Sequence, residues 1–131
     1  YGLFAANNWG LSPSDTTMLA AFRAFRDYDG KGGKFGSLGL AVSGCSPENE
    51  SLYASLDPGR KGVMTMVAIN KTKSPRTITI APKGFAAKTA VAYVRREGVY
   101  EKPSPGNATV VSGRVKIDLP PESVSTVEVR R

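Results

Sequence analysis

Residues 18–43, MLAAFRAFRDYDGKGGKFGSLGLAVS, contain the change of hydrophobic period that decides the fold. At their start, Met18, Leu19, Phe22 and Phe25 recur three and four residues apart, which predicts the apolar face of an amphipathic helix. A glycine-rich stretch then ends the helix, and beyond it apolar residues alternate with polar ones. The chain is therefore predicted to pass from one helix into a series of β-strands.

The part of the chain that follows this helix is predicted to be an antiparallel β-sandwich. Turn-forming clusters such as Asp57-Pro58-Gly59 and Pro105-Gly106-Asn107 divide it into short apolar runs. Within several runs, polar residues alternate with apolar ones, which gives a strand one buried and one solvated face. The predicted strands are residues 37–43, 52–56, 63–70, 76–81, 89–95, 108–111, 115–119 and 124–129.

The sequence of residues 1–35 predicts one strand and one helix, which need a partner domain to pack against. Residues 1–6 form a continuous apolar run typical of a fully buried strand, and Ser12 and Pro13 suit the start of a helix that ends near Tyr28. A buried strand needs neighbours on both edges, and no other segment of the chain resembles a partner for it. We therefore expect an upstream domain, and we expect the chain alone to expose the apolar face of the helix.

The charge distribution favours a solvated sheet surface over a nucleic-acid interface. The chain has 131 residues and a net charge of +7, and residues 51–131 hold fourteen Lys and Arg against six Asp and Glu. Many of these cations, such as Arg76, Arg95 and Arg114, alternate with apolar residues in predicted strands, and no aromatic residues interleave with them for base stacking. No apolar run approaches the ~20 residues that span a membrane. We expect neither a nucleic-acid nor a membrane partner.

The sequence lacks residues on which several common catalytic and metal sites depend. It contains no histidine and a single cysteine, Cys45, which excludes an internal disulfide, His-based zinc sites and the usual serine triads. The carboxylates are expected at helix ends, in turns or, like Asp118 and Glu128, on exposed strand faces. None follows a buried strand, where a barrel enzyme places its catalytic groups. A calcium loop that starts at Asp27 is not expected, because Lys31 and Leu38 stand where its fifth and twelfth positions need ligands. We assign no catalytic, metal or cofactor site to this chain.

Trp9 and Asn8 are the candidate substrate-binding residues. Trp9, the only tryptophan, directly follows the predicted buried strand, in a loop that begins with two asparagines. The flat apolar face of an indole matches the C–H face of a pyranose ring, and side-chain amides bind sugar hydroxyls. The alternative is that Trp9 packs structurally against the start of the helix.

Three segments together resemble the C-terminal part of family-44 glycoside hydrolases. They are residues 1–10, YGLFAANNWG, residues 21–36, AFRAFRDYDGKGGKFG, and the pair LYASL and MTMVAINK at residues 52–56 and 64–71. The resemblance implies that residues 1–35 are the last strand and helix of a (β/α)8 barrel and that residues 36–131 form a β-sandwich that braces it. The closing segment, residues 119–129, also resembles other barrel-plus-sandwich glycosidases, so a relative such as an arabinofuranosidase stays open.

The resemblance also implies an activity for the whole protein. Family-44 enzymes cleave internal β-1,4 bonds of glucans such as cellulose derivatives and xyloglucan, with retention, and a xylanase side activity stays open. The two catalytic glutamates would come from earlier barrel strands, which this chain lacks. The expected partners are the upstream barrel and a β-1,4-glucan, the expected location is outside a bacterial cell, and no cofactor is expected. Trp9 and Asn8 would line the sugar subsite next to the cleaved bond.

Two other functions stay open at this point. A free-standing carbohydrate-binding sandwich would show a row of exposed aromatic side chains, whereas Tyr53, Tyr93 and Tyr100 are few and scattered. A basic scaffold that binds polyanions would use the cations of residues 51–131. Calorimetry with cello-oligosaccharides tests the first function, and salt-dependent retention on heparin tests the second.

Overall fold

The computed structural model describes residues 16–97 and 102–131, and within them it contains one helix and eight strands. The helix, α1, spans Thr16–Arg26. All eight predicted strands are present, and the bounds of the third and fifth match the predicted ones. The strands are β1 (Leu38–Leu40), β2 (Glu50–Leu56), β3 (Val63–Asn70), β4 (Arg76–Ile80), β5 (Thr89–Arg95), β6 (Ser104–Val111), β7 (Arg114–Leu119) and β8 (Ser123–Arg130).

The strands form one curled sheet in the order β1-β2-β3-β8-β5-β6-β7-β4, and every pair is antiparallel. Strand β6 belongs to both halves of this sheet, because residues 104–106 pair with β5 whereas residues 107–111 pair with β7. Beyond β6 the sheet curls back, so that β7 comes close to β3 and β8. The prediction of a mainly β, antiparallel chain with one helix is confirmed, and its description as a two-layered sandwich stays a prediction.

The inner face of the curled sheet forms an apolar core. Successive side chains of a strand point to opposite faces, and β7 shows this most clearly. Val115, Ile117 and Leu119 are buried in the core, whereas Arg114 and Lys116 are exposed on the other face. The buried members of the core are Met64, Met66, Ala68, Phe85, Ala87, Ala92, Val115, Ile117, Leu119, Val127 and Val129.

Strand β3 is buried on both faces. Met64 and Met66 lie in the core, and Thr65 and Val67 on the outer face are buried as well. Helix α1 packs on the adjacent β8, and the segment after the helix reaches β2. Because these elements cover the outer face of β3, its sequence is a nearly continuous apolar run rather than an alternating one.

The turn predicted at residues 105–107 is wrong, because these residues lie inside β6. Gly106 passes so close to β5 that a Cβ atom at this position would lie 2.6 Å from Val94 Cγ2 and 2.8 Å from Ala92 Cβ. Only a residue without a side chain allows this approach of the two backbones. The Pro105-Gly106 pair therefore marks the place where β6 changes its partner strand, and it does not form a turn.

Some predictions about the N-terminal part concern residues that the structure does not describe. The strand at residues 1–6 and the helix start at Ser12 and Pro13 lie outside the described residues. The described helix ends at Arg26, two residues before the predicted end at Tyr28. Among residues 16–97 and 102–131, no helix is long and apolar enough to cross a membrane.

We expect Gly106→Ala to lower the free energy of unfolding by about 1–3 kcal/mol, because the added methyl group overlaps Val94 and Ala92. Gly39→Ala is the matched control, since Gly39 also lies in a strand and an added Cβ atom there meets nothing within 4 Å. Urea unfolding followed by circular dichroism measures both variants. Equal free energies of unfolding for the two would contradict the close approach of β6 to β5.

Candidate functional site on the helix and the outer face of the sheet

The predicted sugar-binding residues, Trp9 and Asn8, lie outside the described residues, and so does the predicted strand that they follow. The first described residue of helix α1 is Thr16, which lies seven residues after Trp9 in the chain. The candidate site is therefore approached through the contacts between this helix and the sheet, which the structure does describe.

Helix α1 approaches the sheet through small side chains. Ala20 and Ala24 in the helix, and Tyr28 just beyond its end, are four residues apart and are each 1% exposed. Since the two alanines carry only a methyl group, the helix backbone can come close to β8. There, Thr126 Oγ1 donates a hydrogen bond to the Ala24 carbonyl oxygen at 2.8 Å.

Carbonyl groups at the C-terminal end of α1 receive further hydrogen bonds from outside the helix. The last carbonyl groups of a helix have no partner within it. The backbone N–H of Phe35 donates to the carbonyl oxygen of Phe25 at 2.8 Å. Arg95 Nη2 on β5 donates to the carbonyl oxygen of Asp27 at 2.7 Å. The end of the helix is thus bonded to the sheet and to the segment that leads into it.

Tyr28, Glu128, Arg60 and Arg130 form a hydrogen-bonded cluster at the end of the helix. Tyr28 Oη donates to Glu128 Oε2 at 2.6 Å, and Arg60 Nη1 donates to Tyr28 Oη at 3.0 Å. Arg60 Nη2 also pairs with Glu128 Oε2, and Arg130 Nη2 lies 2.7 Å from Glu128 Oε1. Two guanidinium groups and a phenol therefore surround the carboxylate of Glu128, and the cluster ties residue 28 to β8.

Burial and charge shift the pKa values within this cluster. Burial, followed by the hydrogen bond to Glu128, raises the pKa of Tyr28 to about 12. Burial also pushes the pKa of Glu128 upward, but the hydrogen bonds from the other three members outweigh it and hold this pKa below its ordinary value. At neutral pH the phenol is therefore neutral and the carboxylate is charged, which are the states in which they bind each other.

Two charged residues that the sequence placed on solvated strand faces are buried or largely buried. Arg95 is 2% exposed, and the side chain of Glu128 is 12% exposed. Burial lowers the pKa of Arg95, because a charged guanidinium is less favourable away from water. These two predictions were wrong because alternation shows which face of a strand a side chain occupies, but not whether a helix covers that face.

The side of α1 turned away from the sheet carries large apolar side chains, Met18, Leu19 and Phe22, which we call the outer apolar face. Met18 is 37% exposed, and Leu19 and Phe22 are half-buried. The predicted apolar stripe is therefore divided, because the ring of Phe25 packs against Tyr53 on β2, whereas Met18 is exposed. Of the stripe residues only Met18 is exposed, and the expectation that the chain alone leaves the stripe exposed stays a prediction.

Two tyrosines on the outer face of the sheet pack against the helical segment. The ring centroid of Tyr53 on β2 lies 6.0 Å from that of Phe25, and the ring of Tyr93 on β5 lies 5.4 Å from that of Tyr28. Strands β3 and β8 separate the two tyrosines, so they do not form the row of exposed rings that a carbohydrate-binding module uses. Tyr100 lies outside the described residues.

Other carboxylates on the strands also have protein partners. Glu50 Oε2 accepts a hydrogen bond from Arg76 Nε at 2.7 Å. The two oxygens of Asp118 accept from Thr77 Oγ1 at 2.8 Å and from Asn107 Nδ2 at 2.5 Å. No group of three or more potential metal-ligating side chains occurs in the part of the chain that the structure describes. Asp118 on β7 thus joins its two neighbouring strands, whereas the pair of Glu50 and Arg76 links β2 to β4, which are not neighbours in the sheet order.

Sequence reasoning did not identify Thr126, Arg95 and Tyr28 as the residues that hold the helix. One signal was available, because Ala20, Ala24 and Tyr28 recur every four residues and form a second helical face opposite the one that carries Met18 and Phe22. A row of alanines on a helix is typical of a close approach to another element. The partners on the sheet carried no comparable local signal.

We expect the free energy of unfolding to fall between about pH 10 and about pH 12, since the pKa of Tyr28 rises from about 10 in the unfolded chain to about 12 in the folded one. The raised pKa favours the folded state while the phenol is protonated, so its contribution is complete below the lower value and is lost through the higher one. Tyr28→Phe reduces this loss, of which Tyr93 keeps a part because burial raises its pKa as well, and the variant lowers the stability at neutral pH by about 1–2 kcal/mol. Urea unfolding at a series of pH values measures both effects.

The control for this experiment is Tyr53→Phe, at a tyrosine that is 49% exposed and lies outside the cluster. This variant is expected to keep the alkaline loss of stability. The free energies of unfolding of Tyr28→Phe and of the unaltered protein are compared over the whole alkaline range. Equal values throughout would show that the cluster does not stabilise the fold.

No family model matches the chain. In sequence, the chain is 32% identical over 71 residues to Endoglucanase A of Paenibacillus lautus, an alignment that takes in 54% of this chain and 10% of that protein. In structure, it superimposes with a TM-score of 0.80 on a family-44 endoglucanase from Clostridium thermocellum, at 18% identity over 89% of this chain and 24% of the other. A family-44 xyloglucanase from Paenibacillus polymyxa superimposes with the same TM-score, at 22% identity over 93% of this chain and 25% of the other.

The chain thus spans a tenth of the length of Endoglucanase A and about a quarter of the solved enzymes. At these identities, the structural similarity shows a shared fold. The sequence similarity covers about half of the chain, and the shared fold covers about nine-tenths of it. The resemblance of this chain to the C-terminal part of family-44 glycoside hydrolases is therefore confirmed.

Proposed function

We propose that the chain is the C-terminal portion of a secreted bacterial glycoside hydrolase that cleaves internal β-1,4 bonds of glucans with retention. The similarity to an endoglucanase and to a xyloglucanase supports this class of substrate. Retention requires two carboxyl groups about 5 Å apart on either side of the scissile bond. We place both on an upstream barrel, since the strand carboxylates Glu50, Asp118 and Glu128 have protein partners.

In this proposal, residues 1–35 are the last strand and helix of the barrel, and residues 36–131 are a sandwich that braces it. The observation that carries the proposal is the two-sided character of helix α1. Its sheet side is closed by Ala20 and Ala24, whereas Met18 on its outer apolar face is 37% exposed and would be buried by another apolar surface. A helix with two apolar sides suits a position between two packed layers.

The bracing has a consequence for the candidate sugar-binding residues. In a (β/α)8 barrel, the residues that contact substrate follow the ends of strands, and each strand is fixed by the helix that packs on it. We propose that Trp9 provides a stacking platform for a sugar ring and that Asn8 binds sugar hydroxyls. The contacts that hold α1 would then fix the loop that carries both residues.

The proposal is tested by comparing the isolated 131-residue chain with the full-length protein from which it derives. The isolated chain is expected to release no sugar from soluble β-1,4-glucan or xyloglucan, and the full-length protein is expected to cleave these polymers internally. NMR of the first-formed product reports whether the anomeric configuration is retained. Full activity of the isolated chain would place the catalytic acids within it and would overturn the proposal.

We expect Trp9→Ala in the full-length protein to lower kcat/KM on β-1,4-glucan by about tenfold or more, because the sugar ring loses an aromatic face worth about 1.4 kcal/mol. Trp9→Phe, which keeps a flat apolar face, is expected to retain most of the activity. The thermal midpoint of each variant separates a lost sugar contact from a lost structural one. A Trp9→Ala variant with unchanged kcat/KM but a lower midpoint would favour the structural role of this residue.

We expect Met18→Glu in the full-length protein to lower the thermal midpoint by several degrees, because it places a charge on the face that the barrel would cover. Val111→Glu is the matched control, since Val111 is 62% exposed on β6, away from the helix, and Met18 is 37% exposed. Differential scanning calorimetry measures both variants. Equal midpoints would mean that nothing covers the outer apolar face, and the bracing role would be rejected.

A further inference from the structure

A separate cleft lies where β6 changes its partner strand from β5 to β7. Its volume is about 650 Å³, and it is lined in part by three prolines, Pro75, Pro105 and Pro120. Val94 and Leu119 also line it. These prolines are held in or beside strands and have little freedom to lose on binding, so they offer a preformed apolar surface of the kind on which a ring-shaped ligand lies.

Asp118 provides the fixed polar group of this cleft. Its two carboxylate oxygens accept hydrogen bonds from the strands on either side, one from Thr77 on β4 and the other from Asn107 on β6, at 2.8 and 2.5 Å. Each oxygen of an ionised carboxylate has two acceptor sites. Asp118 is therefore held in one orientation and can still accept hydrogen bonds from a ligand.

The same cleft carries two cations that the fold does not neutralise. Arg96 and Lys116 line it, and both are exposed. Neither forms an ion pair with any residue in the described ranges. Arg76 lines the cleft as well, but it is paired with Glu50. Two free cations and one carboxylate thus face a ligand, which leaves the cleft with an excess of one positive charge.

We propose that this cleft binds an acidic sugar, the uronate residue of a polysaccharide. The carboxylate of the sugar pairs with Arg96 and Lys116, its hydroxyl groups donate to Asp118, and its ring lies against the prolines. A phosphate-rich ligand is repelled by Asp118, and a neutral sugar leaves both cations without a partner. A ligand that combines hydroxyl donors with one negative charge satisfies every free group. This site is separate from the proposed barrel site and goes beyond it.

The test is titration calorimetry of the full-length protein at low ionic strength, with a xylo-oligosaccharide that carries one glucuronate and with the same oligosaccharide lacking it. We expect the charged ligand to bind at least about tenfold more tightly, as charge-assisted hydrogen bonds require. Arg96→Ala is expected to remove most of this difference. Lys61→Ala, at an exposed lysine outside the cleft, is the matched control and is expected to keep it.

Asp118→Asn distinguishes sugar recognition from simple attraction of anions. The substitution removes the negative charge but keeps the size of the side chain, so binding of the uronate ligand is expected to weaken while binding of inorganic phosphate is expected to strengthen. Equal affinity for the charged and neutral oligosaccharides, or tighter binding of the uronate ligand by Asp118→Asn, would overturn the proposal.

Hydrolysis of an uncharged β-1,4-glucan by the unaltered protein tests the proposed function separately. A protein that hydrolyses the glucan but shows no preference for the charged oligosaccharide lacks only the uronate site. A protein that prefers the charged oligosaccharide but does not hydrolyse the glucan keeps this site and loses the proposed activity.

Discussion

The position of helix α1 depends on the hydrogen bonds that its C-terminal carbonyl groups receive from the sheet. A helix of eleven residues is marginal in water on its own, so its packing on the sheet decides whether and where it forms. Thr126 and Arg95 reach it from adjacent strands, β8 and β5. Burying the Arg95 guanidinium costs hydration, but the partial negative charge at the end of a helix offsets part of that cost. The helix and the centre of the sheet are therefore one structural unit, although the family resemblance assigns them to different domains.

The packing of the helix on the sheet also explains why some strands of this sheet are apolar throughout and others alternate between apolar and polar residues. Strand β3 has the core on one face, and its other face is covered by the helix and the segment that follows it. Almost all of its residues are therefore buried. Strand β7 lies beyond the bend and alternates between buried and exposed residues. Gly106 makes the difference possible, because β6 can pass close to β5 and then leave it for β7. One glycine at the change of partner thus separates the half of the sheet that carries the helix from the half that does not.

The sequence predicted the strands well because alternation and turn residues are local signals. It failed where a distant element decides the environment of a residue. The alternating pattern placed Arg95 and Glu128 on the outer face of their strands, but the helix that covers them comes from about 70 and 100 positions earlier in the chain. Likewise, Pro105-Gly106 has the composition of a turn, and only the contact with Val94 shows why glycine occurs inside a strand. For the candidate site itself, Trp9 and Asn8 stay predictions.

The chemistry of Glu128 argues that this carboxylate does not act as a general acid. A general acid of a glycosidase needs a raised pKa, which burial without a cationic neighbour produces. Glu128 is largely buried, yet Arg60 and Arg130 bind its two oxygens, and its pKa lies below the ordinary value. A carboxylate in this state holds charged groups together and gives up no proton near neutral pH. In the proposed enzyme, the sheet would use its ionisable residues to fix the last helix, and the helix would fix the strand-end residues that precede it.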